Sequence, residues 1–187
     1  MDRLVLASQS PRRKQLLEWA GIDFEVVISD ADENFPNDMP VVEVPIWIAR
    51  KKANAVLLKT GTQQKILAAD TIVVLGNEII GKPVDSSDAM NILTKLSGKK
   101  HLVISGVIIR SGQKEIAFAD QTEVWFHDLS KSQIEYYVDH FRPYDKAGAY
   151  AIQEWIGVVG IRAIHGDFYN VMGLPISRVI KELNNWS

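Results

Sequence analysis

Hydrophobic positions along the chain fall into two patterns: continuous short runs that mark buried strands, and runs in which residues three or four apart share an apolar face. Leu4 to Ser8 reads as a short buried strand. Ser10 suits an N-cap, Pro11 the first helical position and Gly21 the stop, so Leu16, Leu17 and Ala20 predict a helix from Pro11 to Ala20. Phe24 to Ile28 predicts a second strand, and the polar stretch Ser29 to Pro40 a loop. A second helix starts near Val42 to Pro45, runs to Lys59 and closes at Gly61, with Ile46, Ala49, Ala53, Val56 and Leu57 on its face.

Ile66 to Leu75 is the most strand-like run, followed by a turn at Gly76-Asn77 and a return through Glu78 to Ile80. Asp85 or Ser86 caps a third helix through Leu96, which Gly98 ends. His101 to Arg110 and Lys114 to Phe126 predict two long strands around Ser111-Gly112. Ser130-Lys-Ser-Gln133 has the form of a capping box opening a fourth helix to His140. Arg142 to Gln153, rich in small and polar residues, reads as a functional loop. Val158 to Ile164 predicts a further strand, and Pro175 to Leu183 a last helix. The order predicts an α/β chain with a mixed sheet, too irregular in its alternation for a simple doubly wound fold. No repeat or long linker divides it, so residues 1–187 are expected to form one domain.

Composition narrows the chemistry by exclusion. With no cysteine, disulfides, thiolate catalysis and zinc–thiolate sites are ruled out. A formal net charge of −2 argues against holding nucleic acid on a broadly cationic surface. No apolar run has the length of a signal-peptide core or a membrane span, so the expected location is cytoplasmic, with no membrane partner. The four histidines are scattered, without metal-ligand spacing.

What remains gathers in a few clusters. Ser8-Gln-Ser-Pro-Arg-Arg13 feeds a strand end into a helix N-terminus, where free N–H groups, two hydroxyls and two guanidinium groups favour an anion. Arg12 and Arg13 in a first turn oppose the helix dipole, which asks for a reason, although solvated arginines on a capped helix would look the same. Asp70, flanked by Leu67, Ala68, Ala69 and Ile72 to Val74, is costly to bury unless a cation pairs with it. Glu33 in the acidic loop is a candidate second carboxylate. Two convergent carboxylates with a divalent ion suit hydrolysis of a phosphoanhydride. Lys52 and Lys82 are candidate phosphate contacts, though surface lysines are common. In Asp145-Lys-Ala-Gly-Ala-Tyr-Ala-Ile-Gln153, small residues beside Tyr150 and Gln153 permit close approach of a flat ligand.

Taken together and in order, LASQSPRR, IARKKA, AADTIV, GKP, KLSGKKH followed by SGV, DKAGAYAIQ and GDFYNVMGLPIS resemble the Maf family of nucleoside triphosphate pyrophosphatases over Leu6 to Ser177. DKAGAYAIQ is similar to the subgroup acting on dTTP and UTP. The resemblance implies an α/β fold with an elongated mixed sheet, two lobes around a nucleotide cleft, and a homodimer. It implies hydrolysis between the α- and β-phosphates with a divalent cation, magnesium or manganese. Carried over residue by residue, it makes Asp70 the proton acceptor, associates Arg12, Thr71 and Gln153 with substrate choice, and puts Ser8, Arg13, Glu33, Lys52 and Lys82 in the polar pocket. On this reading Glu33, with Asp70 as base, metal ligand or both, holds the cation. Two departures stand out: Lys51 precedes Lys52 where an acidic or neutral residue is common, a change that reads as harmless on a helix surface, and Glu154-Trp155 follows Gln153 where a glycine is usual. The rival expectations are the same reaction on 7-methyl-GTP or another modified nucleotide, and a non-catalytic nucleotide-binding regulator of septum formation.

Overall fold

A computed structural model describes residues 3–60 and 64–186. The buried run at the start forms β1 (Leu4–Leu6). It leads into α1 (Pro11–Trp19), which opens on proline and closes where Gly21 takes a φ of +67°. Ser10 holds the N-cap position but makes no side-chain cap. Its own N–H donates to Ser8 Oγ at 3.1 Å, which ties the end of β1 to the start of α1. β2 (Phe24–Val26) is shorter than its apolar run, and the polar stretch after it is the expected loop. α2 (Val44–Thr60) follows; Gly61, its expected stop, lies outside the described residues.

β3 (Ile66–Leu75) and β4 (Glu78–Ile80) form the expected hairpin around Gly76-Asn77. α3 (Ser86–Leu96) is capped by the Asp85 side chain, which accepts from the Asp88 N–H at 2.8 Å. β5 (Lys100–Ser111) and β6 (Lys114–Phe126) are neighbours in the sheet. α4 (Lys131–Phe141) opens on the capping box of Ser130 and Gln133. The following loop contains one tight helical turn, Ala147–Ala149.

The next segment differs from expectation. Trp155–Gly160 is a short helix, α5, and the strand β7 begins only at Ile161 and runs to His165. A β-branched Val158-Val159 pair reads as strand by composition, but the backbone is bent into a helical turn that brings Gly157 against the Ile152 carbonyl. A Cβ on Gly157 would stand 1.7 Å from that oxygen. A contact of that kind leaves no trace in local periodicity. A five-residue helix, α6 (Phe168–Met172), was also not foreseen; α7 (Ile176–Asn184) closes the described chain.

The described strands make one mixed seven-stranded sheet in the order β2-β1-β3-β5-β6-β7, with β4 paired to β3. β1 runs parallel to both β2 and β3, whereas β3–β4 and β6–β7 are antiparallel. The chain divides into two compact units, the first of Met1–Thr71, Ser105–Asp120 and Gly173–Ser187, the second of Ile72–Ile104 and Gln121–Met172. In the first, Val5, Ala7, Ala49, Ala53, Val56, Ile66, Ala68 and Ile108 form a fully buried cluster that fixes α2 on the sheet. Gly106 sets how closely: a Cβ there would lie 2.3 Å from the backbone of Pro45 and Ile46. In the second, α3 packs on α4 and on the Ala147–Ala149 turn. Among the described residues no helix is long and apolar enough to cross a membrane.

Candidate functional site

Within the first unit, the end of β1, the start of α1, the face of α2 and the middle of β3 bring their polar residues together. Arg13 is the tie. Its Nε donates to the Gly173 carbonyl at 2.8 Å, one terminal nitrogen to Ser8 Oγ at 3.2 Å and the other to Thr71 Oγ1 at 3.1 Å. Thr71 is in turn 2.8 Å from Ser105 Oγ, a fully buried hydroxyl. Burial pulls the guanidinium pKa below its usual value, and the charge of Asp70 opposes that pull. A guanidinium carries five N–H groups, and the bonds described use three of them. Arg12, on the same turn, is half-buried and acts on Arg13 through its charge.

The second feature is a lysine between two carboxylates. Lys52 Nζ, from the middle of α2, donates to Asp70 Oδ1 at 2.7 Å and lies 2.8 Å from Glu33 Oε1. Asp70 and Lys52 are nearly buried, with side-chain exposures of 12% and 13%, whereas Glu33 is open at 49%. Burial among apolar neighbours raises the Asp70 pKa; Lys52 and Arg13 pull it down without cancelling the rise. The result is a carboxylate whose affinity for a proton is raised by burial and opposed by two neighbouring cations.

Glu33 belongs to an otherwise irregular loop, yet the residues on either side of it are bonded to α2. Lys51 Nζ binds Asp32 Oδ1 and donates to the Asn34 carbonyl at 3.3 Å, which also accepts from Trp47 Nε1 at 3.3 Å. The Lys51 hydrogen bond holds the Asp32 carboxyl below the usual carboxylate range. Lys51, which reads from sequence as a harmless surface replacement, is therefore the clasp that sets Glu33 beside Lys52. Its signal was present in the acidic loop, but only the fold shows that α2 faces it.

Lys82 and Gln153 lie in the second unit, and both are exposed. Their segments are joined to each other: the Gly148 N–H donates to the Gly81 carbonyl at 3.1 Å. Gly148 takes a φ of +72°, and a Cβ there would be 2.9 Å from a Val73 methyl. Ala149 follows at a φ of +58°, strained for a residue with a side chain. The structure thus brings Ser8, Arg13, Glu33, Lys52, Asp70 and Thr71 together in one unit, with Arg12 on the adjoining helical turn, and sets Lys82 and Gln153 on tied segments of the other. Ser105, Trp47 and Lys51 are the participants that sequence reasoning missed.

The implied divalent cation can be tested against the donors present. Asp70 Oδ1 and Glu33 Oε1 converge on one point, which the Lys52 ammonium occupies at 2.7 and 2.8 Å. A spot that gathers two hard oxygen donors around a positive charge suits magnesium or manganese, ions that commonly take one or two carboxylates and complete their shell with phosphate oxygens and water. No group of three or more His, Asp or Glu side chains gathers around a common point among the described residues. The residues present fit a cation shared with a phosphate ligand.

Fold and site define an α/β protein whose cations and carboxylates are interleaved at the end of a parallel strand pair and the start of a helix. The family model described as Maf-like protein matches residues 3–186. The chain belongs to the Maf family. It is 50% identical over 180 residues to a dTTP/UTP pyrophosphatase of Cytophaga hutchinsonii, covering 96% of this chain and 82% of that one. It is 46% identical over 182 residues to a dTTP/UTP pyrophosphatase of Bacteroides fragilis (97% and 94% covered). A third relative of that description, from Parabacteroides distasonis, is 45% identical over 185 residues (98% and 96%). Likeness to solved structures is weak: the Staphylococcus aureus Ham1 protein matches at 14% identity with a TM-score of 0.46, over 67% of this chain and 72% of that one.

Proposed function

We propose that this chain hydrolyses nucleoside triphosphates, preferably dTTP and UTP, to the nucleoside monophosphate and pyrophosphate. One observation carries the reading: Asp70 is buried and paired with Lys52 at 2.7 Å, and its burial raises its pKa, which strengthens it as a proton acceptor. The shared description of the relatives supports the substrate class.

On this reading the residues act as follows. Ser8, Arg12 and Arg13 at the start of α1 bind phosphate oxygens, and Lys52 and Lys82 add point charges. Asp70 accepts the proton of the water that attacks the α-phosphorus as pyrophosphate leaves, while Lys52 and Arg13 favour its ionised form. The oxygens of Glu33 and Asp70 would hold the divalent ion, which supplies Lewis-acid neutralisation of phosphate charge. Thr71 and Gln153 choose the substrate, the Gln153 amide being able to donate to and accept from a pyrimidine edge. The reading includes a single domain of residues 1–187, a cytoplasmic location and a homodimer, the last to be tested by sedimentation. A panel of nucleotides with pyrophosphate detection, run with magnesium and with manganese, tests the function. Release from dTTP and UTP is expected. A preference for 7-methyl-GTP overturns the substrate, and tight nucleotide binding without pyrophosphate release overturns the enzyme.

A further inference from the structure

Glu154 puts a carboxylate directly beside Gln153, the residue assigned to the base. The side chain of Glu154 is three-quarters covered, with 23% exposure, and its oxygens turn away to other partners. One oxygen accepts from the Tyr137 hydroxyl; the other lies 3.6 Å from Lys146 Nζ, which also donates to Asp145 Oδ1 at 2.7 Å. Tyr137 projects from α4, is fully buried and lies in a stack with Phe141, ring centroids 5.0 Å apart. Its hydroxyl has a second bond: it accepts from the Ala151 N–H at 3.1 Å.

A hydroxyl that donates to one carboxylate and accepts from one backbone N–H has both directions fixed. Glu154 therefore orients the Tyr137 O–H, and Tyr137 holds the chain two residues before Gln153. From the other side, Gly157 lies against the Ile152 carbonyl, closer than any Cβ would allow. Ala151 and Ile152 are buried between these restraints, and Gln153 is exposed just beyond them. Lys146, nearly buried itself at 8%, needs a counter-charge in place and finds two.

We infer that Glu154 is a positioning residue for substrate choice: through Tyr137 it fixes the Ala151–Ile152 backbone and so the direction in which Gln153 offers its amide. This rests on the reading of the site as a pyrimidine nucleotide pyrophosphatase. The acceptor oxygen carries the effect, not the charge, because Lys146 keeps Asp145 when Glu154 is neutralised.

The test is a kinetic double-mutant cycle on the full chain with UTP, dTTP and, as the poor substrate, GTP, with magnesium and pyrophosphate detection. Glu154→Ala and Tyr137→Phe are expected to raise KM for UTP roughly three- to tenfold, the scale of one lost buried hydrogen bond, with kcat within about twofold. Their preference for UTP over GTP narrows by the same factor. Glu154→Gln, which keeps an acceptor for the Tyr137 hydroxyl, stays within about twofold of the unaltered protein. In a Gln153→Ala background, Glu154→Ala adds nothing further to KM. An additive penalty in that background, an unchanged KM in Glu154→Ala, or a loss in Glu154→Gln as large as in Glu154→Ala overturns the inference and leaves the enzyme reading standing. If Glu154→Ala does not fold, Tyr137→Phe and Glu154→Gln decide the matter by the same criteria. Absence of pyrophosphate release by the unaltered protein from every nucleotide overturns both.

Discussion

Lys52 and Asp70 form an ion pair of 2.7 Å in which the carboxylate is nonetheless held above its normal pKa, because burial outweighs the lysine. The sign of that balance has two consequences. Between the unfolded carboxyl pKa and the raised folded one, the folded chain binds more protons than the unfolded chain, so Asp70 lowers stability as pH rises through that window. Ionising Asp70 is thus a net cost to the fold. Asp70→Asn is expected to melt at the same or a higher temperature than the unaltered protein at pH 8, with the difference vanishing at low pH. Its turnover should fall by ~100- to 10,000-fold, with nucleotide binding retained. Calorimetry and pyrophosphate release on the same preparation check the pair; a variant that is both less stable and fully active contradicts it.

The Lys51–Asp32 clasp predicts a subtler phenotype. Lys51→Ala removes the contact to Asp32 and one of the two bonds to the Asn34 carbonyl, leaving Trp47, Lys52 and Asp70 in place. The expected outcome is a severalfold rise in the magnesium concentration giving half-maximal turnover, with little change in melting temperature because the pair is exposed. Because Asp32 is held below its usual pKa by Lys51, the clasp persists through neutral and mildly acidic pH and fails only as pH drops below the ordinary carboxyl range. Magnesium titrations of the two proteins at pH 7 make the comparison.

Gly106 is where α2 meets β5. An added Cβ at 2.3 Å from the Pro45–Ile46 backbone meets no flexible side-chain end that can give way, so Gly106→Ala must displace the start of α2. Overpacking of that kind costs about 1–3 kcal/mol. Lys52 rides on the same helix, so turnover should fall together with the melting temperature. Loss of stability without loss of activity would show that the helix end yields locally.

These cases mark what the sequence made legible. Strand and helix identities followed wherever the apolar period was long or the cap explicit, as in β3, α3 and α4, because those signals are local. Ser8, Asp70 and Glu33 stand out as candidates because each is a polar residue whose setting is anomalous or acidic in the sequence itself. Lys51 and Glu154 stand out in the sequence only as departures and Ser105 not at all, since their contacts reach across 17 residues (Lys51 to Asn34), 17 residues (Tyr137 to Glu154) and 34 residues (Thr71 to Ser105). The misread of Val158-Val159 has the same origin: a glycine packed on a carbonyl decides the backbone, and β-branched composition does not outweigh it.

His101 gives a prediction of opposite sign to Asp70. It is fully buried, its Nε2 is 2.8 Å from the Tyr150 hydroxyl, its Nδ1 has no hydrogen-bond partner, and Phe126 and Tyr150 meet its ring edge-on. Burial lowers its pKa from 6.5 to about 4. The folded chain therefore holds His101 neutral where the unfolded chain protonates it, and stability is lost as pH falls from 6.5 to about 4. A shift of that size corresponds to about 3 kcal/mol over the window. His101→Phe should be less stable at pH 8, where the Tyr150 hydroxyl loses its partner, but should show a flatter decline of unfolding free energy between pH 6.5 and 4. Urea denaturation at several pH values reads the slope directly; parallel slopes would contradict the neutral buried ring.

The last prediction concerns cooperativity. β3, β5 and β6 each contribute residues to both compact units, the boundaries falling after Thr71, Ile104 and Asp120. Unfolding either unit alone would break three strands partway along their length. That cost is avoided when both units unfold together, so a single two-state transition is expected. Tryptophans lie in both: Trp47 in the first unit, Trp125 in the second. Variants retaining only one of these two as the fluorescent reporter should give the same urea midpoint, coincident with the midpoint from far-ultraviolet circular dichroism. Two separated midpoints would mean that the strands yield at the boundary and that the units are independent folding domains.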